Sequence, residues 1–282
     1  MKTKFRNLPH FTVALFTLIL GIGAVSAFGN SAKGFCDNNN WSNGDNVSFK
    51  ELREMTAAAG GTITVDGRQN GGISVRGENR SDVLIRACVQ TWGKTDDAAK
   101  SIASNIKINT SGTIQAENSS DDKGWSVSYE ISVPRASNVD LTAHNGGLSV
   151  KGIEGSINFT TVNGGVNLDG VAGTVKGRTI NGGINVRLIG SSWKGTGLDV
   201  QTTNGGVNIS VPENFAARIE AGTTNGGFTS NIVGLQPEKS DDDNKYYQRN
   251  KRVNTDLNGG GPLVRIMTTN GGVRINTISE KE

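Results

Sequence analysis

Apolar and polar residues alternate along most of the chain in short runs separated by glycine-rich turns. The first and third residues after most Asn-Gly-Gly triplets are apolar, as at Leu148 and Val150 or at Val166 and Leu168. Polar or charged residues stand between and after them. This period of two is typical of strands with one buried face. The pattern therefore predicts a repeated unit of strand, turn and strand.

The Asn-Gly-Gly triplet recurs at nearly regular intervals. It begins at Asn70, Asn145, Asn163, Asn181, Asn204, Asn225, Asn258 and Asn270, and the steps from Asn145 to Asn225 are 18, 18, 23 and 21 residues. Shorter glycine turns at 152–155 and 170–173 give each 18-residue unit two strands and two corners. This spacing predicts an all-β fold, a parallel β-solenoid whose like corners stack at about 4.8 Å. A curved antiparallel sheet is the alternative, because Asn-Gly also favours hairpins.

We predict that the stacked triplets form a structural turn ladder. Its residues are Asn145, Gly146, Gly147, Asn163, Gly164, Gly165, Asn181, Gly182, Gly183, Asn204, Gly205, Gly206, Asn225, Gly226, Gly227, Asn270, Gly271 and Gly272. Each Asn is expected to bond the Asn above it, and the glycines to supply the positive φ that a corner needs. A calcium site is not predicted, because calcium-binding β-rolls carry regularly placed aspartates.

Residues 47–134 are expected to cap one end of the solenoid. Strands are predicted at 62–66, 72–75, 83–91, 106–109, 114–116 and 126–133. The segment from Thr95 to Ile106 has apolar residues on one face and two acids in its first turn, which predicts a short amphipathic helix. Residues 50–59 fit either a helix that starts with a capping box or a strand. Residues 236–251 break the repeat and are expected to form a solvated loop.

The first 27 residues have the pattern of a cleavable signal peptide. Lys2, Lys4 and Arg6 precede an apolar run that ends in Ala-Val-Ser-Ala. An uncleaved anchor is the alternative and would be the one membrane contact, because 17 apolar or small residues lie at the lower limit for a span. The predicted organisation is a signal peptide (1–27), an Asn-rich segment (28–46), a capping region (47–134), the solenoid repeats (135–277) and a tail (278–282). The protein is expected in the periplasm, on the outer surface or outside the cell.

Composition and charge narrow the classes of function. The 282 residues include 39 Gly and 30 Asn but only 34% hydrophobic residues, which predicts a lean, repetitive core. The whole chain has a net charge of +3, but removal of the signal segment leaves 26 basic and 26 acidic residues. The basic balance thus belongs to the segment that is removed, and nucleic-acid binding is not predicted.

Cys36 and Cys88 are the two cysteines of the chain. In an exported protein we predict that they form a disulfide, with two buried free thiols as the alternative. A catalytic thiol is not predicted, since His144 is the one histidine beyond the signal segment and a reactive cysteine needs a base nearby. The lone histidine also argues against a metal site. No cofactor is predicted.

Several segments occur in an order that is typical of one known family. They are Asn70-Gly-Gly-Ile-Ser-Val-Arg-Gly77, Leu84-Ile-Arg-Ala-Cys-Val-Gln90 followed by the short helix, Gly124-Trp-Ser-Val-Ser-Tyr129 before Val133-Pro134, and the serial Thr-Thr-Asn-Gly-Gly-Val turns. Over residues 47–277 the chain resembles the bacterial putative adhesin family of β-strand repeats, domain of unknown function 4097. The resemblance implies an exported bacterial β-repeat protein without shared catalytic residues, and it favours a strand across 50–59. The long acidic loop after Gly234 departs from the family.

The sequence predicts binding rather than catalysis. Rows of Thr, Asn, Arg and Lys on the repeat face are expected to bind a protein, a glycan or a matrix component through many weak contacts. A periplasmic scaffold or sensor partner is one alternative. A glycan-active β-helix enzyme is another, and it would need acids beside basic residues on neighbouring turns. Its candidates are Asp169, Lys151, Arg187 and Asp199.

Overall fold

The computed structural model describes residues 33–37, 45–237 and 251–279. The predicted signal peptide, most of the Asn-rich segment and most of the predicted loop at 236–251 lie outside these residues. The described part contains two short helices and twenty strands in two ten-stranded sheets. The prediction of an all-β fold is therefore confirmed. Neither described helix is long and apolar enough to cross a membrane.

The elements are numbered in chain order. The helices are α1 (Lys33–Asp37) and α2 (Asp96–Asn105). The strands are β1 (Val47–Ala58), β2 (Thr62–Asp66), β3 (Ile73–Glu78), β4 (Asp82–Gly93), β5 (Ile106–Asn109), β6 (Thr113–Asn118), β7 (Trp125–Pro134), β8 (Asn138–Ala143), β9 (Leu148–Lys151), β10 (Ser156–Thr161), β11 (Val166–Asp169), β12 (Thr174–Asn181), β13 (Ile184–Arg187), β14 (Gly197–Asn204), β15 (Val207–Pro212), β16 (Ala217–Asn225), β17 (Phe228–Ser230), β18 (Lys251–Leu257), β19 (Leu263–Asn270) and β20 (Val273–Ile278).

The two sheets share one layered arrangement. Sheet A has the order β1-β4-β7-β3-β9-β11-β13-β15-β20-β17, and sheet B has the order β18-β16-β19-β14-β12-β10-β8-β2-β6-β5. From β7 to β17 and from β6 to β16 all the described pairs are parallel. Antiparallel pairs occur among the described strands at the ends, where β1, β4, β5 and β18 lie. The stack is thus β-solenoid-like, and the antiparallel alternative is wrong.

The chain does not fill the layers in sequence order. The β19 and β20 layer lies between the β14 and β15 layer and the β16 and β17 layer. At the other end, β2 and β3 lie between the β6 and β7 layer and the β8 and β9 layer. The parallel stack therefore includes residues of the predicted capping region, and it does not begin at residue 135 as expected.

The core lies between the sheets and consists of columns of like side chains. In sheet A one column runs Ile73, Leu148, Val166, Ile184, Val207 and Val273, each at most 2% exposed. In sheet B, Gly177 takes the place that Leu141, Phe159 and Val200 hold in neighbouring layers. A Cβ atom on Gly177 would lie 2.3 Å from the Phe159 ring, so the ring fills the space that the glycine leaves. The large side chain of Phe159 thus compensates for the missing side chain of Gly177, and the core stays close-packed.

The predicted helix closes one end of the stack. Thr95 caps α2, with its side chain accepting a hydrogen bond from the Ala98 amide at 3.2 Å. Arg53 of β1 donates to the carbonyl oxygens of Ala103 (2.8 Å) and Ile106 (2.5 Å) at the other end of the helix. Residues 47–58 form a strand, so the capping-box alternative is wrong and the strand that the family resemblance favours is present.

Candidate functional site

The Asn-Gly-Gly corners stack into a single column. Each Asn Nδ2 donates to the Asn Oδ1 of the neighbouring layer at 2.7 to 3.0 Å, in the spatial order Asn70, Asn145, Asn163, Asn181, Asn204, Asn270 and Asn225. All these amides are exposed and donate in the same direction, so their dipoles align and reinforce one another. Asn258 lies outside this column and donates to the carbonyl oxygens of Glu213 and Phe215, both at 3.0 Å.

A column of buried threonines supports the asparagines from inside. Each hydroxyl donates to the carbonyl oxygen of the first glycine in a neighbouring triplet, at 2.7 to 3.0 Å. The residues are Thr161, Thr179, Thr202, Thr268 and Thr223, and each is at most 3% exposed. The sequence analysis did not identify this role. Their fixed position two residues before each Asn was the available signal.

The first glycine of each triplet is required by the contact between layers. A Cβ atom there would lie 1.9 to 2.1 Å from a glycine carbonyl oxygen of the next layer, as at Gly146, Gly164, Gly182, Gly205, Gly226 and Gly271. None of these residues has a positive φ. The expectation that the triplets of the turn ladder supply positive φ is therefore wrong, whereas the Asn258 triplet outside the ladder does have positive φ. That role belongs to the opposite corners, where Gly152 and Gly170 have φ values of 63° and 58°.

The second glycine of each triplet lies in a different environment. A Cβ atom there would approach a neighbouring atom no closer than 3.2 Å, at Gly72, Gly147, Gly165, Gly183, Gly206, Gly227 and Gly272. These residues lack a positive φ as well. Backbone conformation thus does not require glycine at these positions, and packing restricts only Gly183, where the Gly206 carbonyl oxygen would lie 3.2 Å from Cβ. We call this column the glycine strip. It leaves bare backbone on the outer surface of sheet A, and such a stretch marks a place where a ligand or another backbone can approach closely.

Two further columns lie beside the glycine strip on the outer surface of sheet A. One contains Ser74, Ser149, Asn167, Asn185, Asn208 and Arg274. The next contains Arg76, Lys151, Asp169, Arg187, Ser210 and Asn276. The glycine strip and these two columns together form what we call the groove face. Its side chains are short or polar, and no described aliphatic side chain lies in these columns.

The groove face contains an ion-paired triad. Lys151 Nζ lies 3.1 Å from Asp169 Oδ2, and Arg187 Nη1 lies 3.0 Å from Asp169 Oδ1. Burial acts to raise the pKa of the Asp169 carboxyl, but hydrogen bonds from Arg187 and Lys151 outweigh it, and the net pKa lies below the ordinary value. Asp169 is therefore a charged structural link between three strands.

One part of the groove face deepens into an open groove of about 430 Å³. Its floor is the glycine strip at Gly72, Gly147 and Gly165, and its lining includes Ser74, Ser128, Ser149, Asn167 and Asn185. Phe35 of α1 closes one end. Cys36 is bonded to Cys88, so the predicted disulfide is confirmed. Cys88 pairs with Ser128 in the register of sheet A, and the disulfide therefore anchors α1 at the head of the glycine strip.

The four residues considered for catalysis divide between the two sheets. Lys151, Asp169 and Arg187 meet on the groove face, whereas Asp199 lies on β14 in sheet B and pairs with Arg265 at 2.8 Å. His144 is exposed at a corner. Within the described parts of the chain, no three His, Cys, Asp or Glu residues are grouped to hold a metal.

Sheet B carries a second, shallower depression of about 360 Å³. Its lining includes Asp140, Lys176, Arg178, Asp199 and Gln201. Asp140 and Asp199 are three strands apart in the order β8, β10, β12, β14, which places their backbones about 14 Å apart. Glycoside hydrolases hold their two carboxyl groups within about 9.5 Å of each other. This depression therefore lacks the spacing of a hydrolytic pair.

A family model described as Toastrack DUF4097 matches residues 42–276. No curated protein matches the sequence. Among solved structures, a putative cell adhesion protein from Clostridium sporogenes is 10% identical, with 82% of this chain and 100% of that chain covered and a TM-score of 0.41. A putative adhesin from Bacteroides fragilis is 11% identical, with 81% and 97% covered and a TM-score of 0.34. A putative lipid binding protein from Parabacteroides distasonis is 10% identical, with 81% and 96% covered and a TM-score of 0.32.

Proposed function

Because this chain belongs to the Toastrack DUF4097 family and stacks its strands in parallel layers, we propose that it is a non-catalytic exported envelope protein that binds a glycan along its groove face. The observation that carries this proposal is the glycine strip. The glycines in the floor of the groove are required neither by packing nor by φ, and they keep backbone accessible beside a column of Ser and Asn. A ligand that lies flat on the sheet accounts for them.

The chemistry of the groove matches hydroxyl groups. Ser and Asn side chains donate and accept hydrogen bonds, as sugar hydroxyls do, and the strip adds backbone groups. The same groups return at every strand, about 4.8 Å apart, so a linear polymer meets equivalent contacts along the stack. Many weak contacts of this kind add up to useful affinity.

The charges of the groove face support binding rather than catalysis. Lys151 and Arg187 keep Asp169 ionised, which makes it a poor proton donor near neutral pH. In sheet B, Asp199 and Glu220 are two strands and about 10 Å apart, and both pair with Arg265 between them. Export is supported by the disulfide, because such bonds persist in oxidising compartments.

The proposal is tested by filling the groove. A threonine at Gly165 places its Cβ 3.6 Å from the nearest atom, so the fold is expected to tolerate it while the side chain obstructs the groove floor. Gly60→Thr is the matched control, since Gly60 is exposed in the turn between β1 and β2, outside the groove face, and a Cβ atom there would have no neighbouring atom within 4 Å. The measurement is retention of each purified protein on a panel of immobilised neutral and acidic linear polysaccharides, with the midpoint of thermal unfolding as a check of the fold.

We expect the wild type and Gly60→Thr to be retained by the same polysaccharide. Gly165→Thr is expected to elute at an about tenfold lower concentration of competitor, which corresponds to the loss of one or two hydrogen bonds. Equal retention of all three proteins would place the binding elsewhere. Absence of retention on the whole panel would overturn the glycan proposal.

The compartment is tested on intact cells. Protease treatment of unlysed cells, followed by immunoblotting, is expected to remove this protein while a periplasmic control remains. Survival of the protein until the envelope is opened would contradict an outer-surface location and favour the periplasmic scaffold or sensor instead.

A further inference from the structure

The groove face carries an excess of positive charge. From β3 to β20, the basic residues of its two side-chain columns are Arg76, Lys151, Arg187 and Arg274, and Asp169 is the one acid. On β7, Glu130 lies beside Ser74, but its charge is paired with Arg86 at 3.2 Å. All four basic side chains are exposed. Arg76, Lys151 and Arg187 lie beside the Ser and Asn column, on the side away from the glycine strip. Arg274 lies at one end of the Ser and Asn column. A ligand in the groove therefore lies in a positive field.

The opposite surface has no such excess. The corresponding rows on the outer surface of sheet B contain four acids (Asp66, Asp140, Asp199 and Glu220) and three basic residues (Lys176, Arg178 and Arg265). The chain beyond the predicted signal segment is neutral overall, with 26 basic and 26 acidic residues. The positive charge of the groove face is thus a local arrangement and does not follow from the overall composition.

Part of this charge is unfavourable in the free protein. Arg76 lies directly opposite Lys151 on the neighbouring strand, and like charges in that relation destabilise a sheet. Lys151 is paired with Asp169, but among the described residues Arg76 has no ion-pair partner, and neither has Arg274. An anion placed over Arg76 and Lys151 would relieve the repulsion and form charge-assisted hydrogen bonds.

We infer that the ligand of the groove face is an acidic polysaccharide, a linear polymer of uronic acid type; this inference rests on the function proposed above. Its carboxylates lie over Arg76 and Lys151, and its hydroxyls lie over the Ser and Asn column and the glycine strip. Asp169 is paired with Lys151 and Arg187, so its negative charge is offset within the groove face. The groove lining has two aromatic residues, Phe35 and Tyr129, and the Tyr129 side chain is buried, so a row of exposed rings for stacking nucleic-acid bases is lacking among the described residues.

The experiment compares polygalacturonate with its fully methyl-esterified form, which keeps the sugar backbone and removes the charge. Affinity is measured for the full exported chain at low and high salt. We expect the ester to bind at least about tenfold more weakly than polygalacturonate. The binding of polygalacturonate is expected to weaken at high salt, because salt screens the charges. Arg76→Gln is expected to lose about tenfold in affinity, as one charge-assisted contact is removed, without a lower unfolding midpoint.

The matched control is Lys176→Gln, which removes an exposed positive charge from sheet B and is expected to leave the affinity unchanged. Equal losses from Lys176→Gln and Arg76→Gln would show general attraction to a polyanion and overturn the inference. Equal binding of the ester and the acid would overturn it too, but would leave the glycan proposal intact if Gly165→Thr still weakens binding. Single-stranded DNA or anionic lipid vesicles that compete better than polygalacturonate would overturn the choice of ligand.

Discussion

At the scale of single residues, the two glycines of each triplet are adjacent in sequence but differ in what surrounds them. A Cβ atom on the first would lie within 2.1 Å of a carbonyl oxygen of the next layer, whereas on the second it would lie 3.2 Å or more from any neighbouring atom. The sequence pattern shows both as equally regular. Only the stacking of layers separates a glycine that the fold needs from one that the fold would tolerate losing.

A pair of substitutions in one triplet checks this difference. Gly164→Ala would place Cβ 2.0 Å from the Gly146 carbonyl oxygen, and we expect a loss of about 2 to 3 kcal/mol in the free energy of unfolding, as for overpacked cores. Gly165→Ala has no contact below 3.6 Å and is expected to change that free energy by less than about 0.5 kcal/mol. Urea denaturation of both variants measures the two values. Similar losses would show that the strip glycine is also structural.

Tyr129 is a second residue whose surroundings decide its behaviour. Its side chain is 1% exposed, and its hydroxyl is the one buried side-chain polar atom without a hydrogen-bond partner in the described part of the chain. Burial raises the pKa of this phenol above its usual range. We expect Tyr129→Phe to raise the free energy of unfolding by about 1 kcal/mol, because an unsatisfied polar group leaves the core. A loss of stability on thermal denaturation would instead reveal a bound water at the hydroxyl.

At the scale of elements, Asp169 joins three strands through one carboxylate. Lys151 on β9 and Arg187 on β13 both pair with it on β11. Removing the negative charge leaves two positive charges near each other on the same surface. The strands are also held by backbone hydrogen bonds, so the effect is expected to be modest and to depend on salt.

The pH dependence follows from the lowered pKa of Asp169. A carboxyl that ionises more easily in the folded chain adds stability above its unfolded pKa of about 4, and that contribution is lost as the pH falls through the folded value. At pH 7 we expect Asp169→Asn to lower the free energy of unfolding by about 0.5 kcal/mol. The difference between variant and wild type should vanish in strong acid, as measured by denaturation from pH 7 to pH 2. A difference that persists at pH 2 would assign the effect to packing.

Strands and helices were predictable where neighbouring residues in the sequence determine them. β2 and β5 span the predicted residues, and α2 begins at its Thr95 cap because that hydroxyl satisfies an amide of the first turn. The order of the layers was not predictable, because residues 223–225 and 268–270 are both Thr-Thr-Asn and offer the same contacts to a neighbour. The groove was missed for a related reason. A glycine that packing requires and one that it does not require read alike in the sequence.

At the scale of the whole molecule, the two ends of the stack are closed by different means. β1, β4 and α2 cover one end, and antiparallel β18 covers β16 at the other. These elements shield strand edges that would otherwise pair with other chains. The disulfide belongs to the first end, where it joins α1 to β4 across 52 residues of sequence.

Removal of the disulfide therefore affects both stability and the groove. For the double variant Cys36→Ser, Cys88→Ser we expect the free energy of unfolding to fall by up to about 4 kcal/mol, because the unfolded chain regains the entropy of an open loop. The groove is expected to lose Phe35 at its end, and polysaccharide affinity should fall while the layers remain. Circular dichroism and binding measured on the same preparation separate the two effects. Unchanged affinity would show that α1 is not part of the binding surface.

The placement of β19 and β20 also bears on how the exported chain folds as it crosses the membrane. The N-terminal part of the chain emerges first, so β16 emerges before β19, and its Thr-Thr-Asn frame matches that of β14, on which β19 finally lies. During that interval β16 can pair with β14, because β19, its native partner, has not yet emerged. The final order of the layers then requires β19 to displace β16 from β14. The similarity of the repeats, which stabilises the stack, therefore also creates a kinetic trap during folding.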